Sequence, residues 1–177
     1  MQTAHRAKSI PLRTEQIILF WISGQLFGVS SSAIQEVRSS DSLSGPSGEI
    51  FANALNKVRQ ITKRGDTTVY VVDGARHFGL QSTSGALVFV LRDTRTALLV
   101  DGIERMTTMT RLQALPKAFR SDERKWYRGL TALDQTVVPI IHPEGFLTPE
   151  EIAELDLSVA AKKLHLSDSS EETKFLQ

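Results

Sequence analysis

ALVFVL at residues 86–91 and ALLV at residues 97–100 are the two apolar runs that decide the fold of this chain. The turn-forming residues 92–95 (RDTR) lie between them, so the two runs are expected to pair as an antiparallel hairpin. Both runs are too short for helices, and the first is rich in residues that favour strands. After Asp101-Gly102, residues 103–109 mix apolar and polar positions as a half-buried strand does. We therefore predict a β-rich core around residues 86–109.

Composition excludes several classes of protein. The 177 residues suit one globular unit, or two very small ones that share a core. Without Cys the chain has no disulfide, thiol nucleophile or Cys-ligated zinc. A formal net charge of +1 gives no strong field for nucleic acid. No apolar run reaches signal-peptide or membrane-helix length, so a cytoplasmic location without direct membrane insertion is expected.

Other strands are indicated by short apolar runs bounded by turn residues. They are residues 17–22 and 26–29 around a turn at 23–25, residues 67–72, and a last hairpin of residues 126–133 and 136–141. Pro139 lies inside the last run, which predicts an edge strand or a bulge. Residues 33–37 read as a short helical or extended passage in which Ile34 and Val37 dock on one face.

Two helices are predicted. Residues 49–61 look helical because their apolar side chains fall near one stripe. That stripe consists of Ile50, Leu55, Val58 and Ile61. The second helix begins after Thr148, an N-cap, with Pro149 at its first position. Its expected apolar face consists of Ile152, Leu155, Leu157 and Val159. Residues from 167 onward are polar and are expected to fray.

Eight to ten short strands with two or three helices predict a barrel or a sandwich rather than a parallel α/β sheet. The sequence VVDGAR at 71–76 is weakly repeated as LVDGIE at 99–104. This echo leaves open a duplication that produced two similar barrels, although Asp-Gly after apolar residues is also common turn chemistry.

Candidate catalytic groups are few. The four histidines are far apart and none has a ligand-spaced partner, so no metal and no cofactor are expected. Asp73 and Asp101 could form an acid–base pair, but each precedes Gly, which favours a turn role. A barrel-based enzyme or small-ligand binder that uses Asp73, Asp101 and His142 stays open as a hypothesis.

Basic residues offer a second alternative, a barrel that binds single-stranded nucleic acid. It would use Arg64 and the basic stretch 111–128, in which aromatic side chains are interleaved. Asp122 and Glu123 dilute that charge, so a solvated face is favoured. The tripeptide Arg64-Gly65-Asp66 is expected to turn a helix into a strand, with Arg64 as an exposed donor for a partner's carboxylate.

Seven segments together carry a family resemblance. They are IQEVR (34–38), RG (64–65) followed by VYVVD (69–73), VDGI (100–103), LPKAF (115–119), YRGLTAL (127–133), VPIIHPEGFL (138–147) and TPEEIAEL (148–155). In this order and spacing, over about residues 17–158, the chain resembles the CheW family of chemotaxis coupling proteins.

The resemblance implies a mainly β fold of two five-stranded SH3-like barrels that share a hydrophobic core, with a C-terminal helix. It implies a CheW-like domain at 15–158, a flexible arm at 1–14 and a polar tail at 159–177. The implied role is a non-enzymatic adapter between the cytoplasmic tips of chemoreceptors and the regulatory domain of a CheA-type histidine kinase. A twitching or gliding system is an alternative setting, and weak self-association is compatible with the family.

The same resemblance implies a protein-binding surface. A groove near Ile34, Arg64, Met106 and Gly129 would meet the receptor, and Glu36 and Arg38 would also lie at partner-binding surface. The motif residues Gly65, Asp101 and Gly102 complete the predicted set. The chain departs from the family at Arg59-Gln60, where a Gly–hydrophobic pair is usual, and at Thr62-Lys63, where Asn-Leu is usual. Altered partner contacts are therefore expected around residues 42–63.

Overall fold

Two five-stranded mixed sheets form the body of the protein. The computed structural model describes residues 14–43 and 55–172, with side chains to residue 163. In spatial order, sheet A contains β8 (Gly102–Met109), β1 (Glu15–Ile22), β2 (Gln25–Ser30), β10 (Thr136–Ile141) and β9 (Tyr127–Leu133). Sheet B contains β3 (Ile34–Ser39), β6 (Leu87–Leu91), β7 (Thr96–Val100), β5 (Thr67–Asp73) and β4 (Val58–Arg64). Neighbouring strands are antiparallel except for the pairs β2–β10 and β5–β7.

Three helices accompany the sheets in the described residues. The one-turn helix α1 (Gly74–His77) follows β5, the one-turn helix α2 (Glu123–Trp126) precedes β9, and α3 (Pro149–Glu172) follows β10. Thr148 caps α3 as predicted: its Oγ1 accepts a hydrogen bond from Glu151 N, and Glu151 Oε2 accepts one from Thr148 N. This reciprocal pair is a capping box, which satisfies two backbone donors that would otherwise lack partners.

The predicted central hairpin is confirmed as β6 and β7, which pair antiparallel with Val88 opposite Leu99. All five residues of β7 are buried. Both faces of this hairpin meet apolar surroundings, which explains why its strands read as continuous apolar runs rather than as an alternation.

The alternation of side chains along each strand divides the core into three parts. In β1, Ile17 and Leu19 point into the interior of barrel A, whereas Phe20 points into a larger core shared with sheet B. In β5, Val71 points into the interior of barrel B and Tyr70 into the same shared core. Successive residues of a strand face opposite sides, so each sheet contributes one face to its own barrel and one to the shared core.

Each sheet is closed by contacts beyond its strands. In barrel A, the segment after β8 pairs with β9 through hydrogen bonds in both directions between Gln113 and Leu130. In barrel B, the edge strands β3 and β4 are joined by side chains, since Arg64 donates to Gln35 Oε1 and Arg38 to Lys63 O. The predicted mainly β fold, two five-stranded SH3-like barrels with a shared core, is confirmed.

The predicted helix at 49–61 is wrong where the structure describes it. Val58 and Ile61 belong to strand β4, and both face the shared core. A register shift between Val58 and Gln60 allows this, because the extra residue lets two apolar side chains three apart share a face. Helix-like spacing was therefore produced by a bulge. Residues 49–54 lie outside the described residues.

Two predicted apolar pairings also fail. Ile34 is buried, but Val37 lies on the edge strand β3 and is 41% exposed. In α3, Leu155 is buried and Ile152 and Val159 pack against the shared core, whereas Leu157 is 73% exposed. Leu157 is two residues from Leu155, which places it on the far side of a helix that turns 100° per residue. The helix continues to Glu172.

Pro139 does not mark an edge strand, because β10 lies between β2 and β9. Pro139 pairs in regular register with Leu130, and the nearby register shift places its extra residue, Arg128, on the partner strand β9. The Asp-Gly echo also does not mark one position in each of the two barrels. Its two copies follow β5 and β7, which are parallel neighbours within the same sheet.

Candidate functional site

The β3–β4 surface is the exposed edge at which barrel B is closed by side chains. It is defined here as Gln35, Glu36, Val37, Arg38, Lys63, Arg64 and Gly65. Strand β3 is short and bulged between Ile34 and Glu36, and β4 lies at the other edge of the sheet. This closure leaves charged side chains of both edges on the outside, where a partner can reach them.

Glu36 and Arg38 form an ion pair on this surface, with Arg38 Nη2 2.7 Å from Glu36 Oε2. They are two residues apart in a strand and so lie on the same face. The hydrogen bond from Arg38 lowers the pKa of the Glu36 carboxyl, and the same hydrogen bond raises the pKa of the Arg38 guanidinium. Arg38 also donates to Lys63 O. The pair is thus held in a defined orientation at the barrel edge.

Arg64 is not the exposed, free donor that the sequence predicts. It is half-buried and donates to Gln35 Oε1 at 2.9 Å, to Leu91 O at 3.3 Å and to Thr94 O at 3.2 Å. Its guanidinium joins the end of β4 to β3 and to the turn between β6 and β7. Gly65 follows in the β4–β5 turn with φ +58°, a conformation that favours glycine. The predicted turn is therefore correct, but it connects two strands.

Met106 is 60% exposed on β8 and lies opposite Ile18 of β1. Directly opposite residues in paired strands share a face, so Met106 is on the side of sheet A that Ile18 turns toward the shared core. Ile34, the first residue of β3, belongs to the same core. Ile34 is therefore buried in the shared core, and Met106 is exposed on the side of sheet A that faces this core; we call the region between the barrels that these two residues mark the seam.

Gly129, Asp101 and Gly102 have mainly structural surroundings. A Cβ at buried Gly129 would lie 2.3 Å from Gln113 O, at the closure of barrel A. Asp101 accepts hydrogen bonds from Ser23 N, at 2.6 Å, and from Thr83 Oγ1. Gly102 opens β8 opposite Trp21. Gly129 and Asp101 thus hold the shape of the barrels, whereas a Cβ at Gly102 would have no atom within 4 Å.

A cleft of about 560 Å³ lies between the turn joining β6 to β7 and the start of α3. Leu147, Pro149 and Ile152 give it an apolar side, and Arg64 and Arg95 line it from barrel B. It adjoins the β3–β4 surface through Arg64 and offers an apolar recess beside charged groups.

The acid–base hypothesis loses its support, because its members have separate structural roles. Asp73 is buried and caps α1 through Arg76 N, and it also accepts from Ser82 Oγ. Asp101 serves the β1–β2 turn, and His142 Nδ1 accepts from Glu144 N. Within the described residues, no group of three or more His, Asp or Glu side chains is placed to hold a metal ion.

Much of the basic stretch 111–128 is engaged within the protein. Arg124 donates to Pro116 O at 2.7 Å, Arg128 forms a two-bonded ion pair with Glu15, and Lys125 lies 3.8 Å from Asp122. These contacts neutralise or occupy the cations on which the nucleic-acid hypothesis depends. The departures from the family pattern are also used internally, since Arg59 donates to Ser84 O and Gln60 to Leu43 O.

Sequence reasoning missed two clusters that no linear pattern signals. One is an aromatic cluster around buried His77, with Phe78, Trp126 and Phe146 within 5 Å of its ring centre. The other joins α3 to barrel B through Asp156, Arg95 and Tyr70. Each brings together residues that are dozens of positions apart.

Among the described residues, no helix is both long and apolar enough to cross a bilayer.

Comparisons with known proteins agree with this architecture. The scaffolding protein TtCheW from Thermoanaerobacter tengcongensis matches the structure with a TM-score of 0.61 at 16% sequence identity, over 80% of this chain and 90% of that one. At this identity the likeness concerns the fold. A search of curated proteins finds no significant match. A family model described as CheW-like domain matches residues 16–151, well over half of the chain. The protein therefore belongs to the CheW-like family, whose members are scaffolds and adapters of chemotaxis signalling rather than enzymes.

Proposed function

We propose that this protein is an adapter that couples the cytoplasmic tip of a chemoreceptor to the regulatory domain of a CheA-type histidine kinase. The match of residues 16–151 to the CheW-like family carries the proposal. The protein would act by binding, on the cytoplasmic side of the membrane, and without a catalytic step of its own. The structural contacts of Asp73, Asp101 and His142 are consistent with that.

The seam between the barrels is the proposed receptor-binding region. It offers Met106, which is exposed on β8, and we assign to the same region the edge strand β3 of barrel B, which carries Glu36 and Arg38. An exposed apolar side chain together with an oriented ion pair suits a helical tip that presents apolar and charged residues in turn. The half-buried Arg64 would support this region by fixing β3 rather than by touching the partner.

The cleft beside α3 is the proposed continuation of this region. Its apolar side, formed by Leu147, Pro149 and Ile152, can receive an apolar side chain of a partner. Binding energy at protein interfaces is concentrated in a few buried anchors, and charged rims contribute mainly to orientation and rate. Kinase binding is proposed at other barrel edges, which leaves the seam free for the receptor.

Binding of purified protein to two probes tests the proposal. One probe is a dimeric coiled-coil peptide of a chemoreceptor tip, and the other is a CheA regulatory domain, each taken from the same organism as the chain. Calorimetric titration is expected to detect both. Failure to bind either probe, together with strong salt-dependent retention on heparin, would overturn the adapter role in favour of nucleic-acid binding.

A charge exchange locates the contact. The double variant Glu36→Arg with Arg38→Glu keeps an ion pair but reverses its direction, and is expected to weaken tip binding about tenfold, since misplaced charges at an interface cost a few kcal/mol at most. The matched control is Glu15→Arg with Arg128→Glu, which reverses an ion pair on barrel A. Equal effects of the two exchanges would contradict the assignment of the site.

Met106 provides a second, independent variant. Met106→Glu is expected to weaken tip binding and to leave the thermal midpoint nearly unchanged, because the side chain is 60% exposed. Val137→Glu, at an equally exposed position of β10, is the control. If Met106→Glu binds the tip like wild type, the seam is not the receptor site.

A further inference from the structure

His77 and Phe78 form a wedge by which barrel B enters barrel A. His77 is the last residue of α1, which follows β5 of barrel B, and Phe78 comes directly after it. Phe78 stacks on Phe27 of β2 at 4.7 Å and on Tyr127 of β9 at 5.7 Å. The His77 ring lies 4.6 Å from the Trp126 ring, just before β9, and the Phe146 ring, just after β10, is at a similar distance. Four elements from the barrel A half of the chain thus surround two residues from the other half.

The wedge contains a polar atom without a partner. His77 is 7% exposed, and its Nε2 is buried with no hydrogen-bond partner in the structure. A neutral imidazole tolerates this site because one ring nitrogen can stay unprotonated. An imidazolium would carry a proton on both nitrogens, and the buried Nε2–H would then lack an acceptor. The closed wedge therefore selects neutral His77.

Opening of the wedge would require α1 to withdraw from the interface. In the closed state Asp73 caps α1 through Arg76 N and accepts a hydrogen bond from Ser82 in the connection to β6. Gly79 begins this exposed connection with a φ angle of +68°, and nothing lies within 4 Å of a Cβ placed there. Backbone rotation at Gly79 can let α1 withdraw once these hydrogen bonds break.

We propose that the His77–Phe78 wedge is a proton-linked joint between the barrels, which opens locally and takes up a proton on His77 as it opens. An adapter that binds a partner at the seam between its barrels would then lose its fixed geometry as the pH falls. This inference rests on the joint's contacts and not on the identity of the proposed partners.

The charged groups around the wedge do not favour a closed imidazolium. Lys57 is the cation that acts on His77, and its Nζ is paired with Glu151 of α3 at 2.8 Å. Charged or titratable groups also occur on the elements packed against the ring, and they have other contacts or are exposed. They are Asp73 and Arg76 at α1, Asp122, Glu123, Arg124 and Lys125 at α2, Tyr127 of β9, and His142 and Glu144 before Phe146.

The direction of the pH effect follows from linkage. Burial lowers the pKa of His77 from 6.5 to about 3 in the closed state, with a smaller contribution from Lys57. A lowered pKa means that closure is fully favoured above pH 6.5 and is progressively lost as the pH falls toward 3. If the open state has an ordinary histidine pKa, the opening constant rises about tenfold between about pH 7.5 and pH 5.5.

A single engineered thiol measures the opening. The chain has no Cys, and Ala75 of α1 is buried. In Ala75→Cys, the thiol becomes accessible when α1 withdraws, and 4,4′-dithiodipyridine is a probe that reacts at low pH. Labelling rates are divided by those of the same variant unfolded in urea at each pH, which removes the pH dependence of the reagent. We expect the ratio to rise about tenfold between pH 7.5 and 5.5.

Three controls decide the outcome. Val138→Cys, in the interior of barrel A, reports unfolding of the barrel and is expected to react far more slowly at every pH. His77→Phe in the Ala75→Cys background is expected to abolish the pH dependence, with His77→Met as the alternative if His77→Phe does not fold. His142→Gln in the same background, which changes a different histidine, is expected to retain the pH dependence of labelling. Equal rates at Ala75→Cys and Val138→Cys, or a pH dependence that survives without His77, would overturn the proposal.

Discussion

Arg64 closes barrel B through three hydrogen bonds, two of which end on backbone carbonyls of the β6–β7 region. We expect Arg64→Gln to destabilise the protein by about 1–3 kcal/mol, because the half-buried carbonyls of Leu91 and Thr94 lose donors. The same three hydrogen bonds lead us to expect that Arg64→Glu is destabilising as well. Urea denaturation measures the change in the free energy of unfolding.

Lys63→Gln is the control for this prediction. Lys63 is the exposed neighbour of Arg64, and its side-chain contact is with Thr68 at 3.3 Å. A surface substitution of this kind usually changes stability by about 0.5 kcal/mol or less. If Arg64→Gln is as mild as Lys63→Gln, the guanidinium contacts contribute little to closing the barrel.

Two glycines of the predicted binding set differ in whether the surrounding structure leaves room for a side chain. A Cβ at Gly129 would meet Gln113 O at 2.3 Å, whereas a Cβ at Gly102 has no atom within 4 Å. We expect Gly129→Ala to lower the free energy of unfolding by about 2 kcal/mol or more, because backbone must shift, and Gly102→Ala to be nearly neutral. Thermal denaturation of both variants checks this. Equal stabilities would show that the closure between residue 113 and β9 yields easily.

At the scale of elements, α3 is fastened to barrel B by a charged clamp. Both Nη atoms of Arg95 lie 2.7 Å from the carboxylate of Asp156, and Tyr70 OH donates to the same carboxylate. The hydrogen bond from Arg95 lowers the pKa of Asp156, and burial raises that of Tyr70. Lys57 and Glu151 add a second ion pair between the start of β4 and the helix.

We expect Asp156→Asn to weaken the docking of α3 by about 0.5–1 kcal/mol, a modest value because the pair is partly exposed to solvent. A carboxyl whose pKa is lowered on folding stabilises the protein above its unfolded pKa of about 4, and this contribution is lost as the pH falls. The variant should therefore lose less stability than wild type between about pH 6 and pH 3. Urea denaturation at both pH values measures this.

Glu154→Gln is the control for the clamp, since Glu154 is an exposed carboxylate on the same helix. It should keep the acid sensitivity of wild type. An identical response of Asp156→Asn and Glu154→Gln would mean that the clamp does not hold the helix.

At the scale of the whole molecule, the two barrels are stabilised by one core. Phe20 of sheet A lies 5.2 Å from Phe89 of sheet B, edge to face. Leu155 of α3 belongs to the same cluster. A barrel separated from its neighbour would expose these side chains to water, at roughly 25 cal/mol for each Å² of apolar surface. Neither barrel is therefore expected to be stable alone.

We expect Phe20→Leu to reduce protection against hydrogen exchange in both sheets by the same amount, about 1–2 kcal/mol. The measurement compares peptides of β1–β2 with peptides of β5–β7 by mass spectrometry under mild denaturant. Val137→Ala, at an exposed position, should leave the hydrogen-exchange protection of both sheets unchanged. A loss confined to sheet A would contradict a single cooperative unit.

Strand positions could be predicted from the sequence because they depend on local apolar runs and turn residues. The β6–β7 hairpin is of this kind, and the N-cap at Thr148 was predictable for the same local reason. The strand at Val58–Ile61 could not be predicted from the sequence, because a bulge gave its apolar residues the spacing of a helix. Among the site residues, Glu36 and Met106 are exposed as a binding role requires, whereas Gly129 and Arg64 are committed to barrel closure.

By itself the sequence determined the β-rich class, the order of most strands and the resemblance to adapters, because periodicity and turn chemistry act between near neighbours. Only the tertiary structure decided which side chains share a core and which Arg and Lys side chains form internal hydrogen bonds or ion pairs. It also decided that His77 is enclosed by aromatic rings from the opposite barrel. Those outcomes depend on contacts between residues far apart in the chain. Burial and hydrogen bonding there are fixed by the packing of whole sheets, which no local pattern encodes.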